Sequence, residues 1–231
     1  MKTFLLSAVI MTSAFSAHAV FDASSLRLKI YKMAVSTSPD CSNPTVVVSN
    51  SSPSYSDFKT NPTLGSGNVA DGNYPCVIIE FSDNIKITPS GNGSYCFSST
   101  ETTNDVCRET TTSTLIDGST VTCDSGDNRV AMYLTTAASA TTQSDAFNPP
   151  NCNTAGCDPD TGFNLARELQ VSGSAVGKFI VDTDGKVCDG DEGGDLNSNG
   201  CSDEQAGGNV CACEQNTQCN MLPPNFSFSQ I

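Results

Sequence analysis

Nine acidic residues crowd into positions 182–215, at 182, 184, 189, 191, 192, 195, 203, 204 and 214, with Lys186 as the single cation among them. Inside this segment Asp195-Leu-Asn197-Ser-Asn199-Gly200 follows the spacing D-x-N-x-N-G. In that pattern oxygens at alternate positions converge on a calcium ion and glycine allows the sharp turn. Asp203 stands at the ninth position of the same loop, and Asp189 or Asp191 could complete an oxygen cage. Asp182-Thr-Asp184-Gly185 is a second short acidic turn. One Ca²⁺ would relieve the mutual repulsion of these carboxylates and order a segment with almost no apolar side chains of its own. Asp182, Asp184, Asp195, Asn197, Asn199 and Asp203 are therefore the expected metal ligands, with the affinity of about 10⁻⁴ to 10⁻³ M typical of extracellular modules. The competing reading is a set of β-turns whose Asp and Asn side chains bond their own backbone.

Over that hexad only, the segment resembles EF-hand and related calcium loops. It departs from them at the twelfth position, where Ala206 replaces the bidentate Glu, and at Gly193-Gly194, where an entering helix should end. Asp182 to Gly185 looks like a thrombospondin-type calcium repeat, but such turns repeat and this one does not.

Other chemistry meets a compositional obstacle. Lys2, the apolar run Phe4 to Phe15 and Ala17-His18-Ala19 match the charged start, apolar middle and cleavage site of an export signal. The exported chain is then expected to begin at Val20 and to lack histidine, since His18 is the only one. That removes the usual base near neutral pH and the commonest metal ligand, and with them Ser-His-Asp and Cys-His catalysis. A carboxylate pair for glycoside hydrolysis needs two acids about 5 to 10 Å apart, one of them in an apolar pocket. Glu80 and Glu168 have the most apolar neighbours, yet alternation points both to the polar face of a strand, so neither is assigned a catalytic role. No phosphate-binding glycine motif is present. A sugar platform would have to use Tyr55, Tyr74 or Tyr95, because tryptophan is absent.

Without residues 1–19 the balance is 10 basic against 25 acidic residues, which argues against nucleic acid and anionic membrane as partners. No second apolar run approaches the roughly 20 residues of a membrane-spanning helix, and the alternation is too patchy for an outer-membrane barrel. Val20, rather than cysteine, follows the cleavage site, against a lipid anchor. All twelve cysteines lie after the signal and read as up to six disulfides. A thiolate metal cluster at Cys211, Cys213 and Cys219 is the weaker reading in an oxidising compartment, and without C-x-x-C a redox centre is weaker still. Cys41 with Cys76, and Cys152 with Cys157, flank neighbouring elements or a short loop and are the expected pairs.

The elements that must hold these groups are strands. Leu26, Leu28 and Ile30 face one way and Arg27 and Lys29 the other, with Met33 and Val35 continuing after a bulge. Val77, Ile79, Phe81, Ile85 and Ile87 hold one face from Cys76 to Thr88, broken only by Asp83. Val130, Met132 and Leu134 repeat the pattern, as do Phe179 with Val181 and Phe226 with Phe228. These read as half-buried strands with one face in water. Turn signals separate them, among them Ser90-Gly-Asn-Gly93, Asp117-Gly118 and Asp184-Gly185. Phe163 to Leu169 has helical spacing but reads equally as a strand to Val171 that pairs across Ser172-Gly-Ser174 with 176–181. Thr135 to Gln143 reads as a solvated loop.

Gly72-Asn-Tyr74 followed by an alternating strand, downstream of Leu26-Arg-Leu-Lys-Ile-Tyr31, resembles exported bacterial β-sandwich domains of the transthyretin-like or prealbumin-like kind over residues 25–88. The whole chain resembles cysteine-rich exported proteins of Gram-negative bacteria with no assigned activity. The resemblance implies fold and transfers no functional residue. The expectation is an all-β, disulfide-stapled, mainly antiparallel β-sandwich with long Cys/Gly/Asp-rich loops. Its parts are a signal at 1–19, a core at 20–181 with a loop at 136–162, an acidic Cys-rich loop at 182–219 and a strand at 220–231 returning to the core. Its expected work is binding, adhesive or structural, toward a protein or glycan ligand in the periplasm, at the cell surface or outside the cell, without catalysis or membrane insertion. A carboxylate-based carbohydrate enzyme or glycan-binding module is the alternative.

Overall fold

A computed structural model describes residues 20–60, 68–107, 110–137, 146–150, 152–153, 156–157, 161–173, 177–189 and 219–230. The expected signal, Asp195, Asn197, Asn199, Asp203 and all of 138–145 lie outside the described residues.

The described residues form twenty strands, numbered in chain order, and no helix. A five-stranded sheet runs β15 (Phe163–Asn164), β12 (Arg129–Thr135), β7 (Cys76–Ser82), β3 (Ile30–Ser36), β4 (Thr45–Ser49). A four-stranded sheet runs β5 (Ser56–Asp57), β2 (Ala23–Leu28), β8 (Asn84–Pro89), β9 (Thr102–Asp105). A third sheet places β18 (Val187–Asp189) between β1 (Val20–Phe21) and β19 (Cys219–Met221). Four two-stranded ladders complete the set: β6 (Gly72–Tyr74) with β16 (Leu169–Val171), β10 (Thr112–Thr114) with β11 (Thr120–Thr122), β13 (Cys152–Asn153) with β14 (Gly156–Cys157), and β17 (Gly177–Asp182) with β20 (Asn225–Gln230). Every named strand pair is antiparallel except β12 with β15.

The alternating apolar residues do what period two requires. Val77, Ile79 and Phe81 of β7 oppose Leu134, Met132 and Val130 of β12 in register, and Val35, Met33 and Ile30 of β3 on its other side. The pattern then crosses from one sheet into the other. Lys29 separates β2 from β3 and Asp83 separates β7 from β8, so Leu26, Leu28, Ile85 and Ile87 of the four-stranded sheet join the same apolar cluster. A register shift between Ile30 and Lys32 marks the bulge anticipated there.

One expectation fails on the opposite face. Strands β7 and β12 are not half in water, because a second apolar cluster of Ala34, Cys41, Cys76, Ile78, Leu115, Ala131 and Tyr133 covers them. The cover is the β10–β11 hairpin. Ser113 Oγ accepts the Ala131 N–H at 2.9 Å, the Tyr133 hydroxyl donates to Thr114 O at 2.8 Å, and Gly118 at φ 83° closes the tip. The Cys107–Cys123 bridge staples the hairpin's base, and Cys41–Cys76 ties the chain after β3 to the start of β7.

The segment 163–171 holds two short strands, β15 and β16, rather than a helix or one continuous strand, and β16 pairs with β6 rather than with β17. Strand β17 takes β20 instead, because Phe226 and Phe228 of the returning C-terminal strand stack with Phe179 at ring distances of 5.6 and 5.1 Å. Cys152 and Cys157 are Cα partners in their ladder, but their side chains lie outside the described residues.

Candidate functional site

The stem of the acidic segment is tied to the rest of the fold at several points. Strand β17 ends at Asp182, and Lys186 N–H bonds Thr183 O at 3.0 Å with Gly185 at φ 62°, a tight turn of the kind Asp-Gly favours. Asp182 and Asp184 are both exposed there, and Asp182 Oδ1 accepts the Asp184 N–H at 3.1 Å. That bond belongs to the turn-forming alternative. Between them Thr183 is buried, donates its hydroxyl to Asp22, and accepts from Lys59 Nζ at 3.0 Å.

Strand β18 then delivers Asp189, only 6 % exposed, to three consecutive backbone amides. Its Oδ1 accepts Tyr95 N–H at 2.5 Å and Cys96 N–H at 2.6 Å, and its Oδ2 accepts Ser94 N–H. Successive N–H groups pointing into one concavity make an anion-binding nest, and here the anion is the chain's own. Gly93 permits it, since a Cβ at that position would overlap the Asp189 carboxylate. The Asp189 carboxylate is thus held by the chain's own amides.

The far end of the segment is fixed beside the near end. Asp189 and Cys219 are Cα partners in the β18–β19 ladder, and Cys219 is bridged to Cys96, whose amide is part of the nest. Asn104 donates to Cys219 O and accepts from Met221 N–H, both at 3.0 Å. Cys188 is disulfide-bonded as well. Asp189 and Cys219, the described residues on either side of 190–218, thus lie side by side, and the sequence between them carries six acids and no base. Among the described residues no three His, Cys, Asp or Glu side chains are grouped to hold a metal ion.

The other acids behave differently. Glu80, expected on a solvated face, is completely buried under the hairpin. Its Oε1 accepts Ile116 N–H at 2.8 Å, its Oε2 meets Arg129, and Lys32 Nζ lies 3.8 Å away. Alternation correctly placed Glu80 opposite the core but could not show what covers that face. Tyr133 is pushed up to about 12 by burial, with Glu80 and Asp117 adding to the rise.

Asp83, at the corner between sheets, is fully buried. Its Oδ1 accepts Asn128 N–H at 2.8 Å and its Oδ2 has no partner. Desolvation raises it to about 6, against the Asn128 bonds and with help from Asp105 and Asp127. Glu168 is half-buried and accepts from Gln170 Nε2 at 3.2 Å.

Of the three candidate sugar-stacking rings, Tyr74 is buried with its hydroxyl on Ala70 O. Tyr55 is ringed by Arg27, Lys29 and Lys86, with centroid distances of 5.5, 4.8 and 4.8 Å, and Tyr95 is half-buried beside the nest. The nest itself was missed in the sequence. Its only signal is the turn-rich Ser90-Gly-Asn-Gly-Ser94 before Cys96.

No family description, curated protein or solved structure matches this chain. Function therefore rests on the geometry alone.

Proposed function

We propose that this chain is an exported binding or structural module, acting in the periplasm, at the cell surface or outside the cell, whose working part is the acidic loop 190–218. The observation that carries this reading is the double clamp of that loop, by Asp189 on the Ser94–Cys96 amides and by the Cys96–Cys219 bridge. A long loop poor in apolar residues gains little from burial, and fixing its ends lowers the entropy of holding it for a partner. Three described disulfides and an N-terminal segment with signal character support export. Adhesion to a protein or glycan surface is the form of binding we propose, and transthyretin-like exported domains are the family we expect.

Calcium is the ion we expect in the loop, through Asp195, Asn197, Asn199 and Asp203, with Asp182 and Asp184 at its entrance. At a calcium concentration 100 times the dissociation constant the gain would be about 2.7 kcal/mol. The melting transition should therefore rise in millimolar calcium and fall in excess chelator. An identical transition in both, with a flat calorimetric titration, removes the ion from the account.

The whole reading is tested by replacing 190–218 with a short Gly/Ser linker between Asp189 and Cys219, with Cys188→Ser added because the exchange removes three cysteines and leaves an odd number. Binding of the oxidised protein to an envelope preparation of its own producing cells should be lost while the remaining bridges form. Retained binding would place the working surface elsewhere.

A further inference from the structure

Six of the nine described cations are committed to ion pairs: Arg27 and Lys86 to Glu101, Lys29 to Asp127, Lys59 to Asp22, and Lys32 and Arg129 to Glu80. In a chain with 25 acids the exceptions are informative. Arg167 has no such partner among the described residues, and it lines an open cleft of about 730 Å³ together with Asn164, Glu168 and Gln170. A smaller hollow of about 250 Å³ shares Arg167, Glu168 and Gln170 and extends to Ser229. Ser229 is the Cα partner of Lys178, whose neighbour Phe179 turns inward, so Lys178, which has no ion pair among the described residues, stands on the outer face of the same strand pair.

The backbone under these side chains is fixed. Leu165 and Leu169 are buried at 2 and 5 % exposure. Leu165 N–H bonds Thr135 O at 2.8 Å, Ala166 N–H bonds Phe226 O at 3.0 Å, and Arg167 O accepts Phe228 N–H at 3.3 Å. Gln170 is further oriented by its bond to Glu168. A polar ledge held at this many points binds with little ordering cost.

We propose that the cleft around Arg167 binds an acidic saccharide, its carboxylate on the Arg167 guanidinium and its hydroxyls on Asn164, Glu168 and Gln170. A guanidinium presents a planar fork that matches a carboxylate at two points. The two amides and the Glu168 carboxylate offer the mixed donors and acceptors that vicinal hydroxyls require. Net charge narrows the choice. A polyanion of high density would be repelled by the surrounding acids, whereas a sugar with one carboxylate among neutral hydroxyls would not. None of these residues belongs to the acidic segment, and the proposal does not rest on the function proposed for it.

The test is calorimetric titration of the disulfide-intact protein with a galacturonate oligomer, beside a neutral galactose oligomer and a peptide ending in a free carboxylate. Saturable binding of the uronate alone is expected. Arg167→Gln should weaken it about 10-fold or more, the weight of a hydrogen bond to a charged group. Arg167→Lys keeps the charge, loses the fork, and should also weaken it. Lys178→Gln should have a smaller effect, and replacement of loop 190–218 should have none. An unchanged melting transition confirms that each variant folds. No saturable uronate binding, equal binding of the neutral oligomer, tighter binding of the peptide, or full affinity in Arg167→Gln would each overturn the proposal.

Discussion

Glu80 and Asp189 are both withdrawn from water, but the first is met by a guanidinium and an ammonium and the second by three backbone amides. The Glu80 region is a sheet centre closed by a hairpin, where the carboxylate's charge is balanced by side chains reaching in from β3 and β12. The Asp189 region is a loop stem, where no cation takes part among the described residues and the fold itself supplies the counter-dipole. Side-chain charges can be exchanged for apolar groups of similar volume. Backbone amides cannot be mutated away, so the stem depends on Asp189 and on the bridge that keeps the 94–96 loop in place.

Breaking that bridge should cost most. Replacing Cys96 and Cys219 together with alanine opens a 123-residue interval. On the chain-entropy model this removes about 5 kcal/mol, against about 4 kcal/mol for the 35-residue interval of Cys41–Cys76. Denaturant titration of both variants gives the order.

Next comes Glu80→Ala, which leaves Arg129 and the Ile116 amide facing a cavity and should destabilise by about 3 to 5 kcal/mol. The comparison sharpens in the double variant Glu80→Leu with Arg129→Leu, which should recover most of that loss in the same titration. No partner substitution can rescue Asp189→Ala in this way. We expect it to cost about 2 to 3 kcal/mol and to loosen the stem before the sheets unfold.

Asp83 sits between these extremes, with one amide and one bare oxygen. Because its folded value, about 6, lies above the ordinary carboxylate range, its contribution to stability is complete below about pH 4 and is lost as pH rises through about 6. Asp83→Asn should therefore stabilise by roughly 1 to 2 kcal/mol at pH 7.5 and by almost nothing at pH 4. A stability difference that grows toward acid pH would reverse the assignment. The smallest effect is expected at the surface. Glu101→Gln removes the carboxylate shared by Arg27 and Lys86 and should cost under about 1 kcal/mol, fading in high salt.

Much of the sheet framework was readable in the sequence, because alternation at Leu26 to Val35, Val77 to Ile87 and Val130 to Leu134 reports the core face directly. The hairpin that covers the other face was not readable. Its strands Thr112–Thr114 and Thr120–Thr122 are rich in threonine and serine, and they work by capping Tyr133 and Ala131 with hydroxyl bonds rather than by apolar periodicity. Glu80 was read as solvated for the same reason, although its side of the strand was right. The Cys41–Cys76 pairing followed from neighbouring elements, whereas Cys96–Cys219 joins segments that only the tertiary fold brings together. Of the expected calcium ligands, Asp182 and Asp184 lie in a single exposed turn, and the others fall outside the described residues.

The clamp on the acidic loop is the centre of this account, and native-state hydrogen exchange on the disulfide-intact protein addresses it directly. The amides of Ser94, Tyr95 and Cys96 should exchange nearly as slowly as those of Ile78 to Phe81, although they lie in a loop. Asp189→Asn should speed those three by about 10-fold or more, with β7 unchanged. Loop-like exchange of the three amides in the unaltered protein, or rates indifferent to Asp189→Asn, would contradict the clamp.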